Sequence, residues 1–221
     1  MRKKERFCAD VRIPPVDECL VLMDLHGMMP NIRRHSLMVA RLAAILGRAL
    51  NKGGTDLKIS LIVAGALLHD IAKTRSLREG GNHVEMGRQM VIKMGYPEVA
   101  RIVGSHVDAG PEIADTIDEA TVVNYADKRV QHDKVVPLEE RFKDLLTRYG
   151  VSPDKRGRLQ EMVRNVERLE ERIFSRIPLS PDCVEFMIET SSSISSPDDP
   201  ILEGSRGEGF GKDSDESAPQ K

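Results

Sequence analysis

The chain has 221 residues, of which 31% are charged, and a formal net charge of −2. This length suffices for one sizeable core and falls short of a comfortable two-domain protein. Because the charges nearly balance, nothing in the composition requires nucleic acid or an anionic membrane as a partner, and we expect neither. No apolar run approaches the roughly 18 residues of a transmembrane helix, and the basic start is not followed by the apolar core of a signal peptide.

The cysteines indicate a reducing compartment. Cys8, Cys19 and Cys183 are far apart and show no CxxC spacing. An odd number of cysteines at such spacings is typical of free thiols, and not of a disulfide framework or a zinc site. We therefore expect a cytoplasmic protein.

Helical periodicity dominates the chain. Residues 1–15 form a basic and then extended N-terminal extension, because Pro14 and Pro15 block a helix across it. Apolar residues then recur at intervals of three and four, which predicts helices separated by Gly and Pro. No stretch alternates convincingly as a β-strand does. The predicted helices cover about residues 16–26, 31–50, a central segment from Asp56 through Asp70, 83–94, 97–106, 120–130, 137–149, 152–176 and 180–190.

We therefore predict an all-α protein, a single bundle of about eight helices. Residues 16–150 would form the main domain, and the helices of 151–190 would pack on it. The charged helix 152–176 has a thin apolar stripe that could pack on the bundle or on a second subunit, so a homodimer stays an alternative. After residue 190 the composition turns to Ser, Gly, Asp, Glu and Pro, which predicts a disordered acidic tail over 191–221.

The stretch ALLHDIAK, from Ala66 to Lys73, places His69 and Asp70 at the end of an apolar helix. Two such groups beside buried apolar surface need a partner, since leaving them unpaired would cost several kcal/mol. For an isolated His-Asp pair, a solvated helix end is the plainer interpretation. The rest of the chain argues against that interpretation.

Other polar residues share this placement on apolar helix faces. A lone histidine there is most often a hydrogen-bonded core residue. Six polar groups on five successive helices would each need a separate buried partner, whereas one shared metal centre satisfies all of them. Imidazoles and carboxylates suit divalent Fe, Mn, Co, Ni, Zn or Mg, and a bundle interior can hold two such ions. The six candidate ligands are His35, His69, Asp70, His83, His106 and Asp127.

The order His35, His69-Asp70, Asp127 resembles the HD domain of metal-dependent phosphohydrolases. The sequences flanking these residues agree with that family, and they are RRHSLMVARLA, ALLHDIAK and VVNYADKRV. The resemblance extends over about residues 17–148. It implies a helical HD-domain bundle.

The intervening histidines, His83 and His106, resemble those of the binuclear subgroup, which includes HD-GYP and YqeK-like proteins. The segments GYPEVARIVGSHV and ADKRVQHDKVVPLEERF are similar to a bacterial HDIG subgroup of unassigned substrate. Because the GYP signature is absent, we do not predict hydrolysis of cyclic di-GMP. The resemblance implies that His35, His69, Asp70 and Asp127 hold a first metal ion, and that His83 and His106 hold a second, with Asp70 bridging.

The resemblance also implies that Asp70 is catalytic and that Lys73 is placed to reach a phosphoryl oxygen. For Lys73, an exposed lysine that complements a helix dipole is the alternative. For the neighbouring basic residues we favour surface salt bridges over phosphate contacts or contacts that support the metal ligands; they are Arg34, Lys128 and Arg129.

The predicted function is a metal-dependent phosphohydrolase that cleaves a nucleotide or another small phosphorylated molecule with a metal-activated water. Segments 74–82 and 108–118 are predicted to be loops that wall its pocket. The alternative is a regulatory module that binds nucleotide and metal without turnover. Hydrolysis of a chromogenic phosphodiester would discriminate between the two.

Overall fold

The computed structural model describes residues 12–107 and 117–191. Most of the predicted N-terminal extension (1–11), most of the predicted polar loop (108–116) and nearly all of the predicted acidic tail (192–221) lie outside the described residues. Among the described helices, none combines the length and the apolar character that crossing a bilayer requires.

The all-α prediction is confirmed. The described residues form ten α-helices, a 3-10 turn at Pro181–Cys183 and one hairpin of two antiparallel two-residue strands. The elements in chain order are α1 (Val16–Leu25), α2 (Pro30–Lys52), α3 (Ile59–Leu68), α4 (Lys73–Glu79), α5 (His83–Lys93), α6 (Pro97–Ser105), α7 (Glu119–Arg129), β1 (Val130–Gln131), β2 (Lys134–Val135), α8 (Leu138–Tyr149), α9 (Pro153–Phe174) and α10 (Val184–Ser191).

The centre of the fold is α3, on which every residue from Leu61 to Leu68 is buried. A helix that is apolar on all sides must be enclosed by other elements, and α1, α2, α6 and α7 surround it. On α2, which packs against α3, Val39, Leu42 and Leu46 are fully buried. Consequently the C-terminal end of α3 lies in the interior of the protein.

The end of this central helix differs from the prediction. The helix α3 stops at Leu68, so His69 and Asp70 lie in the turn that follows, and Lys73 begins the separate helix α4. The segment 74–82, predicted as a loop, is therefore mostly helical. Its charged sequence carries no apolar periodicity from which a helix could be inferred.

The β1–β2 hairpin was also not predicted, because a strand of two residues is too short to show alternation. Its turn contains His132, whose φ is 56°. The buried guanidinium of Arg129 donates a hydrogen bond to the carbonyl oxygen of Val136 at 2.8 Å, and the Val136 N–H donates to the Arg129 carbonyl at 2.8 Å. These contacts fix the hairpin to the end of α7.

The helix α9 lies along α7 and buries part of its apolar stripe, at Val166, Leu169 and Ile173. Arg129 on α7 pairs with Glu170 on α9 at 3.0 Å. Intramolecular packing thus covers these three stripe residues.

A glycine in α3 permits a close approach to α6, and we expect its substitution to destabilise the protein. A Cβ at Gly65 would lie 2.7 Å from Cδ1 and 2.8 Å from Cγ2 of Ile102. G65A should therefore overpack this contact and lower the free energy of unfolding by about 1–3 kcal/mol, measured by urea denaturation.

The matched control is a second helical glycine, Gly157 on α9, where a Cβ would meet no atom within 4 Å. G157A should raise the free energy of unfolding by about 0.5–1 kcal/mol, because Ala is the better helix former. A G65A protein stabilised to the same extent would contradict the close contact between α3 and α6.

Candidate metal centre

The turn after α3 brings an imidazole and a carboxylate into the interior. His69 is 0% exposed and Asp70 is 1% exposed. The Nε2 atom of His69 lies 3.4 Å from Oδ2 of Asp70 and 3.7 Å from Oδ1 of Asp127. Neither His69 Nε2 nor Asp70 Oδ1 has a hydrogen-bond partner among the described residues. Buried polar atoms are normally paired, so these two require a further ligand.

A first group of potential ligands forms where α2 meets α7. Nε2 of His35, on the buried face of α2, lies 2.9 Å from Oδ1 of Asp127 on α7. The ring centroids of His35 and His69 are 5.4 Å apart. The helix α7 begins with a capping box between Asp118 and Thr121, which fixes the start of the helix that carries Asp127.

A second group forms on the other side of Asp70. His83 is the first residue of α5, directly after the N-cap Asn82, and His106 follows the last residue of α6. Their Nε2 atoms lie 3.5 and 3.6 Å from Oδ1 of Asp70. The side chain of His106 is buried, whereas that of His83 is 28% exposed, so the centre is open to solvent on the α5 side.

Asp70 belongs to both groups. Asp127 joins the first group through its contact with His35. The structure therefore brings together all six residues that the sequence suggested as ligands, around one carboxylate. The two sets whose ligand atoms lie within 4.8 Å of one another are His35, His69, Asp70 and Asp70, His83, His106.

Three of the histidines are oriented by backbone carbonyl groups. Nδ1 of His69 and of His106 lies 2.7 Å from the carbonyl oxygen of the residue three positions earlier. Nδ1 of His35 lies 2.9 Å from the carbonyl oxygen of His132, 97 residues further along the chain. In each case Nε2 is left to face the centre. Metal-ligating histidines usually make such an outer contact through their second ring nitrogen.

Two lysines neutralise the two carboxylates. Nζ of Lys73 donates to Oδ2 of Asp70 at 2.7 Å. Nζ of Lys128 donates to Oδ2 of Asp127 at 2.7 Å and to the carbonyl oxygen of His106 at 3.0 Å. The Lys73 side chain is 39% exposed and that of Lys128 only 5%. Lys73 is therefore the lysine that can exchange its carboxylate partner for a ligand from solvent.

The expectation of surface salt bridges was wrong for Lys128 and Arg129, which are 4% and 2% exposed. Every residue from Ala120 to Arg129 is buried, because α7 is enclosed by α2, α3, α6 and α9. The charged residues at the end of α7 give no indication in the sequence that other helices enclose them.

For the other two basic residues the outcomes differ. Arg34 forms the expected exposed salt bridge, with Asp133 at 3.2 Å. Lys73 is the first residue of α4 and does not lie at the C-terminal end of a helix. It lies at the positive end of the α4 dipole, so the alternative role as a dipole-complementing lysine is wrong.

The surroundings keep Asp70 ionised. Burial by itself raises the pKa of this carboxyl, but the opposing effects prevail and the pKa lies well below its ordinary value. The opposing causes are the nearby imidazoles of His69 and His106, at 3.4 and 3.6 Å, and the ammonium of Lys73. A metal ligand must be in this deprotonated form.

Asp127 and His83 are also in the forms that bind metal. Burial raises the pKa of Asp127, yet Lys128, His35 and His69 together hold that pKa well below its usual range. Burial lowers the pKa of His83 despite the opposing charge of the nearby Asp70. The His83 imidazole is accordingly biased toward its neutral form, as metal ligation requires.

The donor set fits divalent metal ions. Imidazole nitrogens and carboxylate oxygens suit borderline to hard cations. Two buried atoms of the centre that lack a hydrogen-bond partner among the described residues, His69 Nε2 and Asp70 Oδ1, are of these types. The lysines bind the Oδ2 atoms of Asp70 and Asp127, which leaves the Oδ1 atoms facing imidazoles.

Some contributors to the centre could not be found from the sequence. Asn124 donates to the carbonyl oxygen of His106 at 2.8 Å and supports it beside Lys128. Asn124, Asp127 and Lys128 have the i, i+3, i+4 spacing of one helix face, so the sequence could have indicated that Asn124 and Lys128 lie on the same side of α7 as Asp127. The carbonyl of His132 gave no signal, because every residue type carries one.

Comparisons with known proteins relate the middle of the chain to one family of domains. Residues 32–130 match the family model of the HD domain. Over 158 residues the chain is 27% identical to a tRNA (cytidine(56)-2'-O)-methyltransferase of Thermoplasma volcanium, a match covering 71% of this chain and 42% of that protein. An uncharacterised protein of Methanocaldococcus jannaschii is 27% identical over 134 residues, covering 54% of this chain and 78% of that protein. Ribonuclease Y of Treponema pallidum is 30% identical over 158 residues, covering 64% of this chain and 29% of that protein.

No solved structure matches the chain. The chain spans less than half the length of the methyltransferase and of ribonuclease Y, so these relatives identify a shared domain and not a shared whole. The family match spans His35, the His69-Asp70 pair and Asp127. Residues 32–130 are thus similar to the HD domain, in agreement with the resemblance that the sequence motifs indicate.

Proposed function

We propose that this protein is a metal-dependent phosphohydrolase that cleaves a phosphoester in the centre around Asp70. The observation that carries the proposal is the buried Asp70 carboxylate, which faces imidazoles of two separate groups. In this proposal two divalent ions, each Fe, Mn, Co, Ni, Zn or Mg, occupy the centre. The ligands of the first ion are His35, His69, Asp70 and Asp127, and those of the second are Asp70, His83 and His106.

Divalent ions in such a site polarise phosphoryl oxygens and lower the pKa of bound water, which is the chemistry that phosphoester hydrolysis needs. The protein supplies the ionised carboxylates of Asp70 and Asp127, both with lowered pKa values. The substrate would enter on the half-exposed side, at His83 and Lys73.

Lys73 is the residue that we assign to substrate binding. Its ammonium is within reach of the centre, since it already contacts Oδ2 of Asp70, and it is partly exposed. A phosphoryl oxygen is an equivalent partner for this ammonium. On substrate binding, Lys73 would transfer from the carboxylate to the phosphoryl group and stabilise its charge.

The substrate class has two candidates. A nucleotide or another small phosphoester follows from the resemblance to HD phosphohydrolases. An RNA phosphodiester is the second candidate, because relatives named ribonuclease Y and tRNA (cytidine(56)-2'-O)-methyltransferase share this region of the chain. Incubating the Mn²⁺-loaded protein with a panel of nucleotides and a single-stranded RNA oligonucleotide separates them.

The competing proposal is a regulatory module that binds nucleotide and metal without turnover. Hydrolysis of a chromogenic phosphodiester in the presence of Mn²⁺ or Fe²⁺ supports the enzyme. Metal and nucleotide binding with no product from any substrate would support the regulatory module.

D70A should lose most bound metal and all metal-dependent hydrolysis, because this carboxylate belongs to both groups of ligands. H83A should lose only the second ion, from about two per chain to about one, and turnover should fall by orders of magnitude if both ions are needed. Elemental analysis gives the metal content, and the chromogenic assay gives turnover.

The matched control for these two variants is H26A, which removes the histidine that caps the end of α1 and takes no part in the centre. H26A should keep both ions and full turnover. An H83A protein with the metal content and activity of the wild type would contradict a second ion at His83. If that content were one ion per chain in both proteins, a mononuclear site of His35, His69, Asp70 and Asp127 would be the better account.

K73M should keep the metal but lose turnover. The methionine keeps the length of the side chain but removes the ammonium, so we expect turnover to fall by roughly 10²-fold, as for other lost charge-stabilising donors. Metal affinity should be unchanged or higher, because the competing cation on Oδ2 of Asp70 is gone. Steady-state kinetics and Mn²⁺ titration measure the two effects.

The control for K73M is R75M, which removes a cation two residues further along α4. Arg75 pairs with Glu79 at the surface and makes no contact with the centre. R75M should behave as the wild type in both measurements. Loss of bound metal in K73M would contradict a role in binding the substrate and would make Lys73 a structural partner of Asp70.

A further inference from the structure

The three oriented histidines differ in where their outer hydrogen-bond partner comes from. For His69 and His106 it is a carbonyl of the same helix end, three residues earlier. His35 lies inside the 23-residue helix α2, where the nearby carbonyl groups are engaged in helical hydrogen bonds. The partner of its Nδ1 is supplied from outside the helix, by the carbonyl of His132 at 2.9 Å.

The backbone at His132 has an uncommon conformation. Its φ of 56° is in the left-handed region, and among the described residues no other non-glycine residue has a positive φ. Glycine adopts this conformation readily and Asn tolerates it, whereas a β-branched side chain strongly disfavours it. A residue that moved out of this region would turn its carbonyl away from His35.

The turn is held against α2 and α7 by contacts around it. The β1–β2 hairpin closes it through the pairs Val130–Val135 and Gln131–Lys134. Asp133, the next residue in the turn, pairs with Arg34, the residue before His35, at 3.2 Å. These contacts fix the turn on both sides of the carbonyl that His35 binds.

We propose that the turn at His132 is a positioning element for the first ion, and that its backbone carbonyl, not its imidazole, holds His35 in the orientation of a ligand. This inference rests on the proposed metal centre and adds a residue outside the six ligands. Outer partners of ligating histidines typically contribute 10- to 100-fold to metal affinity.

The test separates the backbone from the side chain by substituting residue 132 in an H83A background, where only the first ion remains to be measured. Mn²⁺ is titrated and the free ion is followed by electron paramagnetic resonance. H132G and H132N should bind Mn²⁺ nearly as well as the H83A parent. H132V should bind about 10- to 100-fold more weakly, and H132A should lie between them.

Two controls make the result specific. Circular dichroism melts verify that each variant is folded. If H132V does not fold, the difference in Mn²⁺ affinity between H132G and H132A answers the same question. In an H35A background, where the second ion is measured, H132V should leave Mn²⁺ affinity unchanged. Equal weakening of the first site in all variants, H132G included, would assign the role to the imidazole and overturn the proposal.

The outcome also separates this proposal from the proposed function. Two ions in the wild-type protein, together with affinities that do not vary across the residue-132 series, would overturn the positioning role and leave the metal centre intact. A wild-type protein that bound no Mn²⁺ would overturn the metal centre and this inference with it.

Discussion

The buried charge of Asp70 is the constraint on which the rest of the structure depends. A carboxylate that is 1% exposed, directly after a wholly apolar helix, is strongly destabilising unless charged or polar partners surround it. The fold supplies the Lys73 ammonium at 2.7 Å and three imidazoles at 3.4 to 3.6 Å. Those partners lie in the turn itself or at ends of α4, α5 and α6. The charge of Asp70 therefore requires that these three helix ends meet around it.

The all-α fold and the meeting of the six polar residues could be predicted because both depend on periodicity. His35 shares the buried face of α2 with Val39 and Leu42, and a side chain on such a face must point into the interior whatever the details of packing. The same reasoning holds for Asp127 on α7. What periodicity could not supply was the end of α3, since a helix and a tight turn carry the same apolar pattern over four residues.

The parts that could not be predicted depend on which elements meet far apart in the chain. From the sequence, Lys128 resembles a surface residue next to Asp127, but it is buried, and the end of α6 brings the His106 carbonyl to its ammonium. The hairpin turn contacts His35 through a backbone carbonyl group. Every residue type carries such a group, so the sequence contains no signal for this contact. In both cases a backbone group is the missing partner, and a sequence does not record where backbone groups lie.

The two lysines offset the charge of the two buried carboxylates in the candidate centre. Two carboxylates and two ammonium groups balance in charge, each lysine holding the Oδ2 atom of one aspartate. The two lysines differ in exposure, since the Lys128 side chain is buried and that of Lys73 is 39% exposed. In the proposed function, the exchangeable lysine lies on the solvent-open side of the centre, so the arriving phosphoryl group would replace Asp70 as the partner of Lys73.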